Sequence, residues 1–169
     1  MAAERILRFA DSVGVFDLMN SAWGWPIVES LHFFGLSLLI GTVGVFDLRL
    51  LGLGKGIAIA ALHRLVPFGV GGYLINVATG TLFFISAPAQ YMHNPAFQLK
   101  MLAMAIAGLN VAVFYTTTSR RLAELGPDAD APVHAKVIAI VSLLSWAAVI
   151  SFGRLLTFFR PPYYWCFWC

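Results

Sequence analysis

Charge is scarce in this chain. Only 11% of its 169 residues are Asp, Glu, Lys or Arg, less than half the ~25% of an ordinary soluble domain. Residues 65–91, 101–119 and 137–153 contain none. Cysteine is nearly absent as well. The two present, Cys166 and Cys169, share one aromatic stretch, and no further Cys or suitably spaced His completes a zinc site. No phosphate-binding loop, dinucleotide fingerprint or nucleophile elbow occurs, so the common nucleotide-dependent and hydrolytic chemistries have no motif here. The net charge of +3 does not mark a nucleic-acid-binding protein, because the basic residues sit at the ends of apolar runs and form no patch.

What is abundant is apolar surface. Hydrophobic residues make up 60% of the chain, and the mean hydropathy is +0.81. The organising stretch is 23–53, WGWPIVESLHFFGLSLLIGTVGVFDLRLLGL. Trp23 and Trp25 suit one membrane interface, Pro26 the first helical turn, and Asp47 with Arg49 the opposite interface. Between them lie roughly 20 mostly apolar residues, enough to cross the ~30 Å hydrocarbon core. With the three uncharged runs, this predicts transmembrane helices at about 25–48, 65–90, 97–119 and 136–159, within a membrane domain covering 23–160. Pro88 is expected to break the second helix, and Asn94-Pro95 to cap and start the third. In residues 1–22, Ile6, Phe9, Val13 and Phe16 recur at helical spacing, while Arg8, Asp11 and Asp17 interrupt any signal-peptide core. The fold class is all-α: an integral membrane four-helix bundle in a lipid bilayer, with an N-terminal interfacial amphipathic helix. Residues 161–169, which carry the aromatic string YYWCFWC, read as an interfacial anchor.

Basic residues orient the bundle. Arg49, Lys55 and Arg64 follow the first span, and Arg120, Arg121 and Lys136 follow the third. The other side holds Arg5, Arg8, Lys100 and Arg160, diluted by Glu4, Asp11 and Asp17. The excess places the two basic connections in the cytoplasm and both termini in the periplasm of a bacterial inner membrane.

An ionisable group inside a span is costly and raises a functional question. A rise of 1.5 Å per residue puts Glu29 about 3 Å and His32 about 8 Å inside the first span; Lys100 lies about one turn down, and Arg154 about 8 Å down, from the same side. Glu29, His32, Lys100 and Arg154 are therefore expected to form one polar cluster. Two readings stay open. One is a salt-bridged staple between helices; the other is a haem or quinone pocket with His32 as ligand or proton carrier and with Lys100 and Arg154 on propionates or a carbonyl. For a bis-histidine haem, His32's partner on this side is His93, beyond Pro88 in the connection, while His63 and His134 match each other at the opposite side. A haem on His32 alone is the five-coordinate variant. Glu29-x-x-His32 echoes the di-iron helix motif, but the second motif and the further carboxylates are missing. Cys166 and Cys169 leave three readings: a disulfide, a copper pair on an oxidising face, or two lipid-facing thiols. Asn76 and Asn110, at similar depth, read as interhelical amide contacts. Gly35 leaves a gap one turn beyond His32, for a flat cofactor or a packed side chain. Ser37, Gly41 and Gly44 form a small-residue face, which with the glycines of the second span predicts a homo-oligomer or a partner membrane subunit.

The strings ESLHFFGLSLLIG, FDLRLLGLG, NPAFQLKMLAMAIAGLN and SFGRLL together resemble a bacterial family of uncharacterised four-helix membrane proteins, loosely similar to copper-resistance D membrane proteins and four-helix b-type cytochromes. The resemblance covers about residues 26–158. It emphasises His32, Asp47, Arg49, Asn94, Pro95, Lys100, Asn110 and Arg154. The family pattern often carries a His after the AGLN segment where this chain has Tyr115, which weakens the haem reading. The expected function is a membrane redox protein or subunit, in electron transfer or quinone interaction, with b-type haem on His32 as one form. A non-enzymatic membrane scaffold or anchor, and a copper-handling protein, are the alternatives.

Overall fold

The computed structural model describes residues 2–123 and 129–159. Among these no strand occurs. Two short helices, α1 (Ala2–Ser12) and α2 (Val15–Asn20), lead into α3 (Gly24–Leu50). Then come α4 (Ile59–His63), α5 (Val66–Ser86), α6 (Pro88–Met92), α7 (Pro95–Thr117), α8 (Ser119–Ala123) and α9 (Val133–Leu155), which ends in a 3-10 turn, Leu156–Phe159. Four stretches are long and apolar enough to cross a membrane: Gly24–Leu50, Ile59–Ser86, Pro95–Thr117 and Val133–Phe159. The protein is a multi-pass membrane bundle of four helices. The end at which α3 starts and α9 finishes is called the near end below, and the opposite one the far end.

Hydrocarbon offers no hydrogen bonds, so a spanning segment must satisfy its own backbone and hydroxyl groups. The Ser and Thr side chains do so within their helices: Ser37 donates to the Phe33 carbonyl at 2.9 Å, Thr81 to Val77 at 2.8 Å and Ser145 to Val141 at 2.7 Å. Helix ends are settled by sequence. α5 stops at Ser86, and α6 begins with Pro88, whose missing N–H cannot continue the ladder. Asn94 caps α7: its Oδ1 accepts from the Ala96 N–H at 3.0 Å and the Phe97 N–H at 3.4 Å, with Pro95 in the first turn. Its Nδ2 donates to the carbonyls of Leu156 and Phe159 at 3.0 and 3.3 Å, tying the start of α7 to the end of α9.

The helices pair unevenly. α3 packs along α5, α7 along α9, and α3 along α9, whereas α5 and α7 do not form a packed pair. The α3–α5 pair is drawn together by glycine. A Cβ on Gly72 would stand 2.5 Å from the Gly35 carbonyl oxygen and 2.8 Å from the Leu39 nitrogen. A Cβ on Gly35 would meet Asn76 Nδ2 at 2.7 Å and the Gly72 oxygen at 2.8 Å. The gap that Gly35 opens is therefore filled by the backbone of α5. Gly41 and Gly44 meet nothing within 4 Å of an added Cβ, so this part of the small-residue face is unused inside one chain.

At the far end Leu50, Ile59, Phe114, Leu122, Ala131, Ala135, Ile138 and Ala139 form a buried cluster, with Phe46 packed against it. Arg49 is not an exposed interface charge but is folded inward, only 2% exposed. Its Nε donates to the Ile57 carbonyl at 2.8 Å, and Nη2 to those of Lys55 and Ala129 at 3.1 and 3.4 Å. Outside it, Asp130 pairs with Lys55 at 2.9 Å and with Lys136 at 3.9 Å. The two far-end connections are thereby joined. At the near end α1 and α2, separated by Gly14 at φ 72°, pack against α5. They bury Ala10 and Met19 and leave Phe9, Val13 and Phe16 exposed.

Candidate functional site

Depth alone brings His32, Lys100, Glu29 and Arg154 to one level, but helix rotation sorts them differently. α3 buries Val28, Gly35 and Leu39 along its seam with its neighbours. His32 lies on that seam, and its Nδ1 is 2.7 Å from Thr79 Oγ1 on α5. Thr79 has one hydroxyl proton, which the Ile75 carbonyl takes at 2.7 Å. The threonine oxygen must therefore accept from the ring. His32 carries its proton on Nδ1, and in the neutral ring Nε2 keeps a bare lone pair. The imidazole also stands edge-on to Phe83, with centroids 5.7 Å apart.

Lys100 lies along α9, where a Cβ on Gly153 would be 3.6 Å from Nζ. Glu29 and Arg154 do not join them in the expected way. Both are exposed, and among the described residues neither enters an ion pair. Three residues of α-helix turn the chain through about 300°, so Glu29 sits roughly 60° from His32 and falls off the seam. The four-membered staple is thus reduced to His32–Thr79, with Lys100 nearby. His93 stands exposed just after α6, outside the spans. His134 is exposed near the start of α9. Cys166 and Cys169 lie outside the described residues. Among the described residues no group of three or more His, Cys, Asp or Glu side chains is arranged to hold a metal ion.

The two amides behave unequally. Asn110 donates across the bundle to the Ile138 carbonyl at 3.0 Å, linking α7 to α9. Asn76 donates within α5 to the Gly72 carbonyl at 2.9 Å, because the close approach of Gly35 confines its amide.

Room for a ligand is found toward the far half. There a cavity of about 370 Å³ is walled by α3, α4, α5, α7 and α9. Leu39, Met104, Phe114 and Trp146 give it an apolar lining, while Asp47, Asn110 and Ser142 supply polar groups. Asp47 is 4% exposed, and among the described residues its Oδ2 has no hydrogen-bond partner. The Ser142 hydroxyl stands beside the same carboxyl. His63 and Tyr115 also line the cavity; Tyr115 Oη is 3.5 Å from His63 Nε2, and the rings meet edge-on. The cavity widens where α5 and α7 fail to pack. Val70 and Tyr73 on one side and Val111 on the other both line it and remain 51%, 41% and 43% exposed. Such residues mark an opening toward the lipid.

Sequence reasoning treated Asp47 as an interfacial charge and gave Ser142 no role. The available signal was that leucines continue past Asp47 at 48, 50, 51 and 53, interrupted only by Arg49 and Gly52, which makes a terminal position for that carboxylate less secure. His32 lines neither this cavity nor the smaller one of about 210 Å³ between α3 and α9. Compared with known proteins, the chain matches no family model, no curated protein and no solved structure.

Proposed function

We propose that the protein is a membrane redox protein, or the subunit of one, that receives a quinone-type molecule in the far-half cavity. One observation carries this reading: the buried carboxyl residue Asp47 stands in the wall of a mostly apolar chamber that opens to the bilayer. Its ~370 Å³ falls in the range of small-molecule sites. Few polar groups among many apolar ones suit an aromatic ring with polar edges. Asp47, Ser142 and Asn110 would orient the ring edge, and Trp146 and Phe114 would cover its faces. The chain's own contribution is to bind, to orient and to exclude water.

The test is binding of a short-chain benzoquinone, read as quenching of Trp146 fluorescence and isolated by comparison with Trp146→Phe. Saturable quenching that Trp146→Phe removes is the expected result. Quenching that only follows partition into the detergent would sink the reading.

A second reading, b-type haem on His32, is favoured by the bare Nε2 lone pair that Thr79 enforces. The visible spectrum of the purified protein separates the two, since haem gives a Soret band that His32→Ala abolishes. A colourless, metal-free and quinone-free preparation would leave the scaffold or anchor role. Copper bound in proportion to protein and lost on replacing Cys166 and Cys169 would support copper handling. The basic far-end connections support a bacterial inner-membrane location with both termini periplasmic, and the open Gly41–Gly44 face supports a homo-oligomer or a partner subunit.

A further inference from the structure

We propose that the far-end rim of the opening between α5 and α7 holds an anionic phospholipid, with its phosphate against Arg64 and Arg120 and one acyl chain along the cleft above them. This goes beyond the quinone-type reading and does not rest on it, since it concerns the rim and the outer cleft rather than the polar wall of the chamber. Two short helices build the rim. α4 ends at His63 with Arg64 next in the chain, α8 starts at Ser119 just beyond α7, and α4 packs against α8. His63 also meets Tyr115 on α7, with Nε2 and Oη 3.5 Å apart. The far ends of α5 and α7 are thereby brought together, and Arg64 and Arg120 arrive with them. Both arginines are exposed, and among the described residues neither enters an ion pair. Asp130, the exposed acid described at this end, is taken by Lys55 and Lys136. The rim therefore carries positive charge that the described residues do not answer, on guanidinium groups shaped to pair a phosphate bidentately.

The cleft above the rim supplies the second half of the match. Val70 and Tyr73 on α5 and Val111 on α7 line it and stay exposed, so its walls are largely apolar and face the lipid. Gly108 stands on the same edge with nothing within 4 Å of an added Cβ, which leaves a trough there. Toward the near end Phe84 and Phe97 stack at 5.7 Å and close the cleft. On α7 its lining runs from Met104 to Tyr115, a rise of about 16 Å, close to the ~15 Å depth of one leaflet. An acyl chain fits that length with its headgroup at the arginines. A cleft facing hydrocarbon takes whatever chain the bilayer offers, and the rim then decides which headgroup stays. Basic sites between transmembrane helices favour lipids of net negative charge, whereas the ammonium of a zwitterionic lipid would be set beside two guanidinium groups.

The experiment is native mass spectrometry of the full chain in mild detergent, titrated with dioleoyl phosphatidylglycerol or with dioleoyl phosphatidylcholine, which share their acyl chains. The first phosphatidylglycerol is expected to bind at least about fivefold more tightly, the effect of one basic residue on an anionic lipid. Arg64→Gln with Arg120→Gln is expected to erase most of that preference, and each single variant to reduce it. Both side chains are exposed and outside any described ion pair, so the bundle keeps its internal contacts. Arg5→Gln with Arg8→Gln, at the near end, is the control and should keep the preference. Gly108→Leu, which has space for its side chain, should weaken both lipids at least about threefold and leave their ratio unchanged; Val111→Phe on the same exposed edge is the second variant. Soluble glycerophosphoglycerol should not displace the bound lipid. Equal affinity for the two lipids, or a preference that survives loss of both arginines, overturns the assignment of the rim. Displacement by glycerophosphoglycerol makes this a site for a free phosphate and overturns the lipid. Unchanged binding of both lipids by folded Gly108→Leu and Val111→Phe variants overturns the cleft as the seat of the acyl chain.

Discussion

Replacing Gly72 by alanine adds one methyl group at the tightest point of the bundle. Its Cβ would lie 2.5 Å from the Gly35 oxygen, 2.8 Å from the Leu39 nitrogen and 2.9 Å from Leu38 Cβ. The first two are backbone atoms and cannot swing aside. Restoring contacts of ~3.5 Å requires α3 and α5 to separate by roughly 1 Å. Overpacking of this kind costs about 1–3 kcal/mol, and the better helix propensity of alanine offsets at most ~1 kcal/mol of it. The control is Gly71→Ala, one residue away on the same helix, where an added Cβ meets nothing within 4 Å. Unfolding in mild detergent, followed by tryptophan fluorescence, should place Gly72→Ala well below the wild type and Gly71→Ala at or slightly above it. The displacement should also reach the 2.7 Å His32–Thr79 contact two turns along α5. Nitrogen-15 NMR of labelled histidine would then report loss of the fixed Nδ1–H form. If both glycine variants melted alike, the close α3–α5 approach and everything oriented by it would be wrong.

Other consequences can be measured in the same preparation. Asn94→Ala should cost about 2–4 kcal/mol, from the lost cap and two deserted carbonyls at Leu156 and Phe159; Asn94→Asp keeps the cap but not the donors, so a melt between wild type and alanine is expected. Arg49→Lys should destabilise by about 1–3 kcal/mol in thermal melts, because a point-charge ammonium cannot span carbonyls on both connections. The Lys55 ammonium, by hydrogen bond and by charge, with Lys136 adding to it, holds the Asp130 carboxyl below its ordinary 3.8. A depressed acid stabilises the fold above its unfolded value and loses that contribution as pH falls through the folded one, so the link between the two connections should loosen only below pH 3.8. Amide exchange in residues 129–131 should show that step, and Asp130→Asn should abolish it.

How much of this was legible in the sequence depends on which coordinate is asked for. Uncharged runs as long as 65–91 have few homes other than a bilayer, so the four spans and the all-α class could be read directly. Depth was legible too, since rise per residue is fixed, and it set His32 and Lys100 at one level. Azimuth was not. Whether Glu29 faces the seam depends on where α3 meets α5, and that is set by Gly35 against Gly72, a pairing of two glycines that no single-chain pattern announces. Asp47 was obscured for a related reason. Beside Arg49 it resembled an interface marker, yet Arg49 turns toward the connections and Asp47 toward Ser142 on a helix far away in sequence. The cavity itself is a property of sparse packing between α5 and α7, which meet through Phe84 and Phe97 but not along a full seam, and composition carries no sign of that.

The uneven pairing of the helices gives the molecule the build of a hinged book. α3 with α5 is one cover, α7 with α9 the other, and the α3–α9 contact is the spine. The covers are also tied at their ends, by the short α6 connection and by the carbonyl network around Arg49. A small rotation about the spine changes the width of the chamber while leaving each helix, each glycine contact and the His32–Thr79 bond intact. The width of the chamber and the firmness with which the two far-end connections hold each other are therefore one mechanical quantity.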